Sequence, residues 1–164
     1  MGRLRNKKGM SIVELLSSIA VMLLVAAVLV TGVRLGVSAY TKSVSMSQAQ
    51  VLCSTLTTAV SDELRYAGNI YLDENNEMQK FFVSGKGLGT FGSDSEGHVT
   101  FAGKPLLGKA SYPYGLKAEV TVNMDGSEKI FNAEVKVMSK NNNVLSGSTF
   151  QVKPLNEMFV QTTD

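Results

Sequence analysis

Glu14 places a carboxylate at the head of an apolar run. From Leu15 to Val33 there are 19 residues without a charge, interrupted only by Ser17, Ser18, Thr31 and Gly32. An acid beside so much apolar surface needs a cation or a donor wherever water is excluded. Elsewhere the groups that do chemistry are sparse. His98 is the one histidine, which excludes clustered-histidine metal sites and leaves any catalytic dyad or triad one candidate base. It reads as a structural residue where a strand meets a loop. Cys53 is the one cysteine, so no intrachain disulfide can form. It falls within an apolar helical stripe and reads as a small buried hydrophobe. Gly85-Lys86-Gly87-Leu88-Gly89-Thr90-Phe91-Gly92 is glycine-rich but lacks the Gly-Lys-Ser/Thr ending of a phosphate loop. Asp73, Glu74, Asn75 and Glu77 cluster oxygens, yet their spacing is not that of an EF-hand, and they read as a solvated turn. No catalytic residue, metal site or cofactor is expected.

The net charge of +2 hides a division. Arg3, Arg5, Lys7 and Lys8 give the first nine residues +4, and from Met10 onward 12 basic residues face 14 acidic ones. The positive excess belongs to a short tail, so no nucleic-acid surface is indicated. A basic tail before an apolar run of about 20 residues predicts a single membrane span with its N-terminus cytoplasmic and the rest outside. A cleaved signal peptide is a competing reading. Val37-Ser38-Ala39 has the small-residue pattern of a cleavage site, although the run is longer than a usual signal core and Arg34 intervenes. A plain uncleaved anchor accounts for the length and leaves Glu14 unexplained.

Lys7-Lys8-Gly9 followed by Met10-Ser11-Ile12-Val13-Glu14-Leu15-Leu16 closely resembles the N-terminus of type IV pilins and pseudopilins. The resemblance implies a basic leader ending at Gly9, cleavage between Gly9 and Met10 by a prepilin peptidase, and N-methylation of Met10. Met10 departs from the phenylalanine commonest at that place. Glu14 becomes the fifth mature residue, and the family pairs that acid with the N-terminal amine of a neighbouring subunit. One helical turn is about 3.6 residues, so an amine on Met10 of the same chain is also within reach of Glu14. The implied partners are the peptidase, other pilin or pseudopilin subunits, a membrane assembly platform, and the lipid bilayer before assembly. The implied function is a structural subunit of a type IV pilus, a competence pseudopilus or a type II secretion pseudopilus. A second, shorter resemblance, Asp62 to Gly68, is to minor pilins and pseudopilins of the PilW and J kind. The alternative from another class is a membrane-anchored or secreted β domain that binds a ligand.

The elements follow from periodicity. Between Val37 and Ala67 there is no proline or glycine, and Val37, Tyr40, Val44, Val51, Leu52, Leu56, Val60, Leu64 and Ala67 recur at helical spacing. A single helix is expected from Met10 to about Tyr66, apolar all round in its first half and amphipathic in its second. Gly68 is placed as its C-cap. Beyond it the period becomes two. Strands are expected at Ile70 to Leu72, Gln79 to Ser84, His98 to Ala102, Leu116 to Val122, Ile130 to Met138 and Val144 to Val152. Gly85 to Gly97 is expected to be a loop, Asp125-Gly126 and Asn141 to Asn143 turns, and Leu155 to Val160 a last strand or a tail. The predicted class is α+β, a long helix and an antiparallel meander. The predicted organisation is a leader over 1–9, a membrane and fibre half over 10–33, an amphipathic half over 34–67 and a β domain over 68–164.

Overall fold

The computed structural model describes residues 11–72, 78–83, 85–125, 129–155 and 160–162. One helix, α1 (Ile12–Arg65), is followed by a strand-rich region, and the class is α+β as predicted. The chain divides into two compact units, Met1–Ser43 and Val44–Asp164. The helix forms although valine, serine and threonine are among its commonest residues: no proline interrupts it, and one face of its second half is buried. It starts two residues later than expected and stops at Arg65. Gly68 is not its C-cap: it lies in the first strand, β1 (Ala67–Leu72).

The β region is three small sheets rather than one meander. The first has the order β10-β1-β2-β3, with β2 (Met78–Val83), β3 (Gly87–Gly89) and β10 (Val160–Thr162). Here β1 is antiparallel to β2 but parallel to β10, with Ile70 opposite Val160. The second sheet is β4-β5-β6, from Phe91–Ser93, Val99–Phe101 and Lys104–Pro105. The stretch expected to be a glycine loop therefore contains β3 and β4. Ala102 and Gly103 join Phe101 to Lys104, and both have positive φ (50° and 75°). That is the mirror-image two-residue turn which suits a twisted hairpin. The third sheet is β7-β8-β9, from Lys117–Asp125, Ile130–Met138 and Val144–Val152. The last two match the predicted bounds. Gly126 and the acidic turn at Asp73 to Glu77 lie outside the described residues.

One core serves the unit Val44–Asp164. Ala49, Leu52, Cys53, Leu56, Val60 and Leu64 are the buried face of α1, at spacings that keep them on one side. Val37, Tyr40 and Val51, expected in that stripe, are exposed. Phe81 of β2 ties the sheets together. Its ring lies 5.7 Å from Phe91, 5.2 Å from Phe101 and 5.8 Å from Phe131, centroid to centroid, all tilted. Each sheet thus sends a phenylalanine to one point, in the tilted geometry that aromatic pairs favour. Leu155 closes the tail back by donating its N–H to the Arg65 carbonyl at 2.9 Å.

Candidate functional site

Two places among the described residues are candidates for function. The first is the start of α1. The helix opens with Leu15 donating its N–H to the Ser11 carbonyl at 3.0 Å. Glu14 lies in the first turn, where an acid faces the positive end of the helix dipole. Its side chain is exposed. Behind it, Leu15 to Val33 is exposed apolar surface throughout. At 1.5 Å per residue, 19 residues rise about 28 Å, close to the bilayer hydrocarbon thickness of about 30 Å. α1 is long and apolar enough to cross a membrane.

The hydroxyls in this run are satisfied within the helix. Ser17 and Ser18 both donate to the Glu14 carbonyl, at 2.9 and 2.8 Å. Thr31 reaches the carbonyls of Ala27 and Val28, at 3.0 and 2.9 Å. A helix in lipid must satisfy its polar groups internally, and these residues do so. A Cβ added at Gly32 or Gly36 would meet nothing within 4 Å, so no contact within the chain demands either glycine. Gly9 and Met10, with Arg3, Arg5, Lys7 and Lys8, lie outside the described residues.

The second place was not anticipated. Asp94, Glu96 and His98 close a tight turn between β4 and β5. Asp94 Oδ1 accepts the N–H groups of Glu96 and His98, at 2.9 and 2.8 Å. Asp94 Oδ2 lies 3.0 Å from His98 Nδ1, and Glu96 Oε2 lies 3.6 Å from the same nitrogen. Lys109 donates to Glu96 Oε2 at 2.8 Å. The N–H of His98, above all, holds the Asp94 carboxyl below its ordinary range, and Glu96 raises the Lys109 ammonium above its own. The His98 ring packs 4.4 Å from that of Tyr112, whose buried hydroxyl accepts the Val99 N–H at 3.0 Å. Burial pushes the Tyr112 phenol up, so it stays neutral and can keep that bond.

This turn brings three potential ligand atoms within 4.8 Å of one another. Glu96 already faces the Lys109 ammonium, so the group is a mixed-sign network whose charges answer one another. Among the described residues no hydroxyl or thiol hydrogen-bonds to the His98 imidazole, and Cys53 is buried in the helix face. The network locks the turn to the 3-10 segment Lys109–Ser111 and to the core. The spacing Asp-x-Glu-x-His over five residues was the sequence signal for it, read instead as loop followed by strand.

Comparison with family models, curated proteins and solved structures finds no match to this chain.

Proposed function

We propose that this chain is a prepilin-like structural subunit, of the minor kind, processed after Gly9 and assembled through its N-terminal helix. It serves a type IV pilus, a competence pseudopilus or a secretion pseudopilus, and its role is architectural rather than catalytic. The observation that carries the reading is Glu14, an acid in the first turn of a helix with 19 exposed, uncharged residues behind it. An ordinary anchor has no use for that acid, which is costly in an apolar bundle without a partner. Cleavage after Gly9 creates an amine one turn away, and a neighbouring subunit supplies another. The exposed apolar run then has two successive environments, lipid first and a bundle of like helices afterwards. The precursor sits in the cell membrane with its β domain outside, and its partners are the prepilin peptidase, the assembly platform and other subunits.

Mass spectrometry of the mature N-terminus tests this. A methylated Met10 is expected, and replacing Gly9 with a bulky residue should leave the precursor uncut. A mature protein beginning at Tyr40 would overturn the reading in favour of a secreted domain.

A further inference from the structure

We propose that Asp94, Glu96 and His98 form a zinc site in the turn between β4 and β5, and that the ion binds there by displacing the Lys109 ammonium. Three ligand atoms converge in this turn, Asp94 Oδ2, Glu96 Oε2 and His98 Nδ1, all within 4.8 Å of one another. Nδ1 is 3.0 Å from the first oxygen and 3.6 Å from the second. Zinc bonds of about 2.1 Å at tetrahedral angles set neighbouring ligand atoms about 3.4 Å apart. The two separations bracket that value, so little movement about Nδ1 is needed. The ligands are also held in place. Asp94 Oδ1 is engaged by the N–H groups of Glu96 and His98, which leaves Oδ2 turned to the imidazole. His98 is only 9% exposed, and its ring rests on Tyr112. An aspartate-capped turn accounts for Asp94 alone. It requires neither a buried imidazole nor a second carboxylate beside the same nitrogen.

The donor set selects the metal. Calcium and magnesium take oxygen ligands, and calcium takes about six to eight of them. One imidazole nitrogen with two carboxylate oxygens suits zinc, whose fourth place then falls to water. The ion takes the position of the hydrogen between Nδ1 and Oδ2, and the neutral ring keeps its proton on Nε2. Lys109 is the present counter-charge of Glu96, through one bond of 2.8 Å from a side chain that is 71% exposed. Such an exposed pair is worth little, so a doubly charged ion displaces it. The tie from Glu96 to Lys109 is then exchanged for one within the turn itself.

His98 is the one histidine of the chain, so nitrogen NMR of histidine-labelled, full-length protein without a polyhistidine tag reads this site alone. One equivalent of zinc should shift the Nδ1 resonance and leave Nε2 protonated. Competition with a chromophoric chelator gives the affinity. Glu96→Gln, which keeps an acceptor for Lys109, should weaken zinc binding at least about tenfold. Lys109→Met should tighten it about two- to fivefold by removing the competing cation. The proposal is overturned if zinc leaves Nδ1 unmoved or binds Nε2 instead, or if calcium produces the same shift. It is overturned equally if Glu96→Gln binds zinc as tightly as the native chain, or if Lys109→Met binds it no tighter. These outcomes do not depend on cleavage at Gly9, so the filament reading stands or falls separately.

Discussion

Gly89 and Ala102 pack so closely that a Cβ built on the glycine would lie 2.4 Å from the Cβ of Ala102. The contact joins the end of β3 to the hairpin turn between β5 and β6. Gly89→Ala should therefore destabilise the β domain by about 1–3 kcal/mol, the usual penalty of overpacking. Ala102→Gly in the same chain should recover part of the loss, because it removes the clashing methyl and relieves a left-handed alanine. Urea midpoints of the two single variants and the double variant check this. Simple additivity of the two effects would refute the proposed contact.

The Tyr112 hydroxyl gives a second prediction. It accepts the Val99 N–H at 3.0 Å in a buried place. Tyr112→Phe keeps the ring against His98 and strands that N–H, at a cost of about 1–3 kcal/mol. Amide hydrogen exchange at Val99 should accelerate in the variant, and unchanged protection would show that the bond contributes nothing.

Acid should weaken the turn at residues 94–98. The Asp94 carboxyl is held below its ordinary value by the His98 N–H, with the Glu96 N–H and the imidazole adding to the effect. A lowered folded pKa stabilises above the unfolded value of about 3.9 and is lost as pH falls through the folded one. Stability measured from about pH 6 down to about pH 3 should fall less steeply in Asp94→Asn than in the native chain. Parallel curves would rule out a contribution from Asp94.

Glu14→Val bears on the assembly reading. The variant should insert and be cut after Gly9, because the acid is not in the leader, yet it should fail to enter filaments. Electron microscopy and mass spectrometry of the same cells separate the two steps. Filaments of normal number would reduce Glu14 to a residue at the membrane surface.

Strands were legible where the side chains alternate strictly. Ile130–Met138 shows buried and half-buried residues in turn, and β8 and β9 match their predicted bounds residue for residue. The missed elements depend on distant partners. β3 and β4 are three-residue strands in a glycine-rich stretch, and only pairing with Phe81 to Val83 and with Val99 to Phe101 defines them. The turn at Ala102-Gly103 escaped notice because alanine is an unusual occupant of a left-handed position. Val51 lay on the predicted helical stripe yet is exposed, since the buried face runs through Ala49, Leu52, Cys53 and Leu56 instead. At the candidate site, Glu14 could be read from charge against hydropathy alone. Gly9 and Met10 had meaning only through a family resemblance. The network of Asp94, Glu96, His98 and Lys109 needed the fold to bring Lys109 within 2.8 Å of Glu96 across thirteen positions.

The parallel pairing of β1 with β10 carries a consequence for the order of events. Any machine that makes or exports the chain N-terminus first releases Ile70 well before its partner Val160. The first sheet therefore waits with one edge of β1 uncovered while β2 to β9 form beside it. Closing so large a loop is slow compared with making a hairpin. Completion of that sheet thus requires the chain to have emerged through Val160, and a product stalled before that point would carry the open edge of β1.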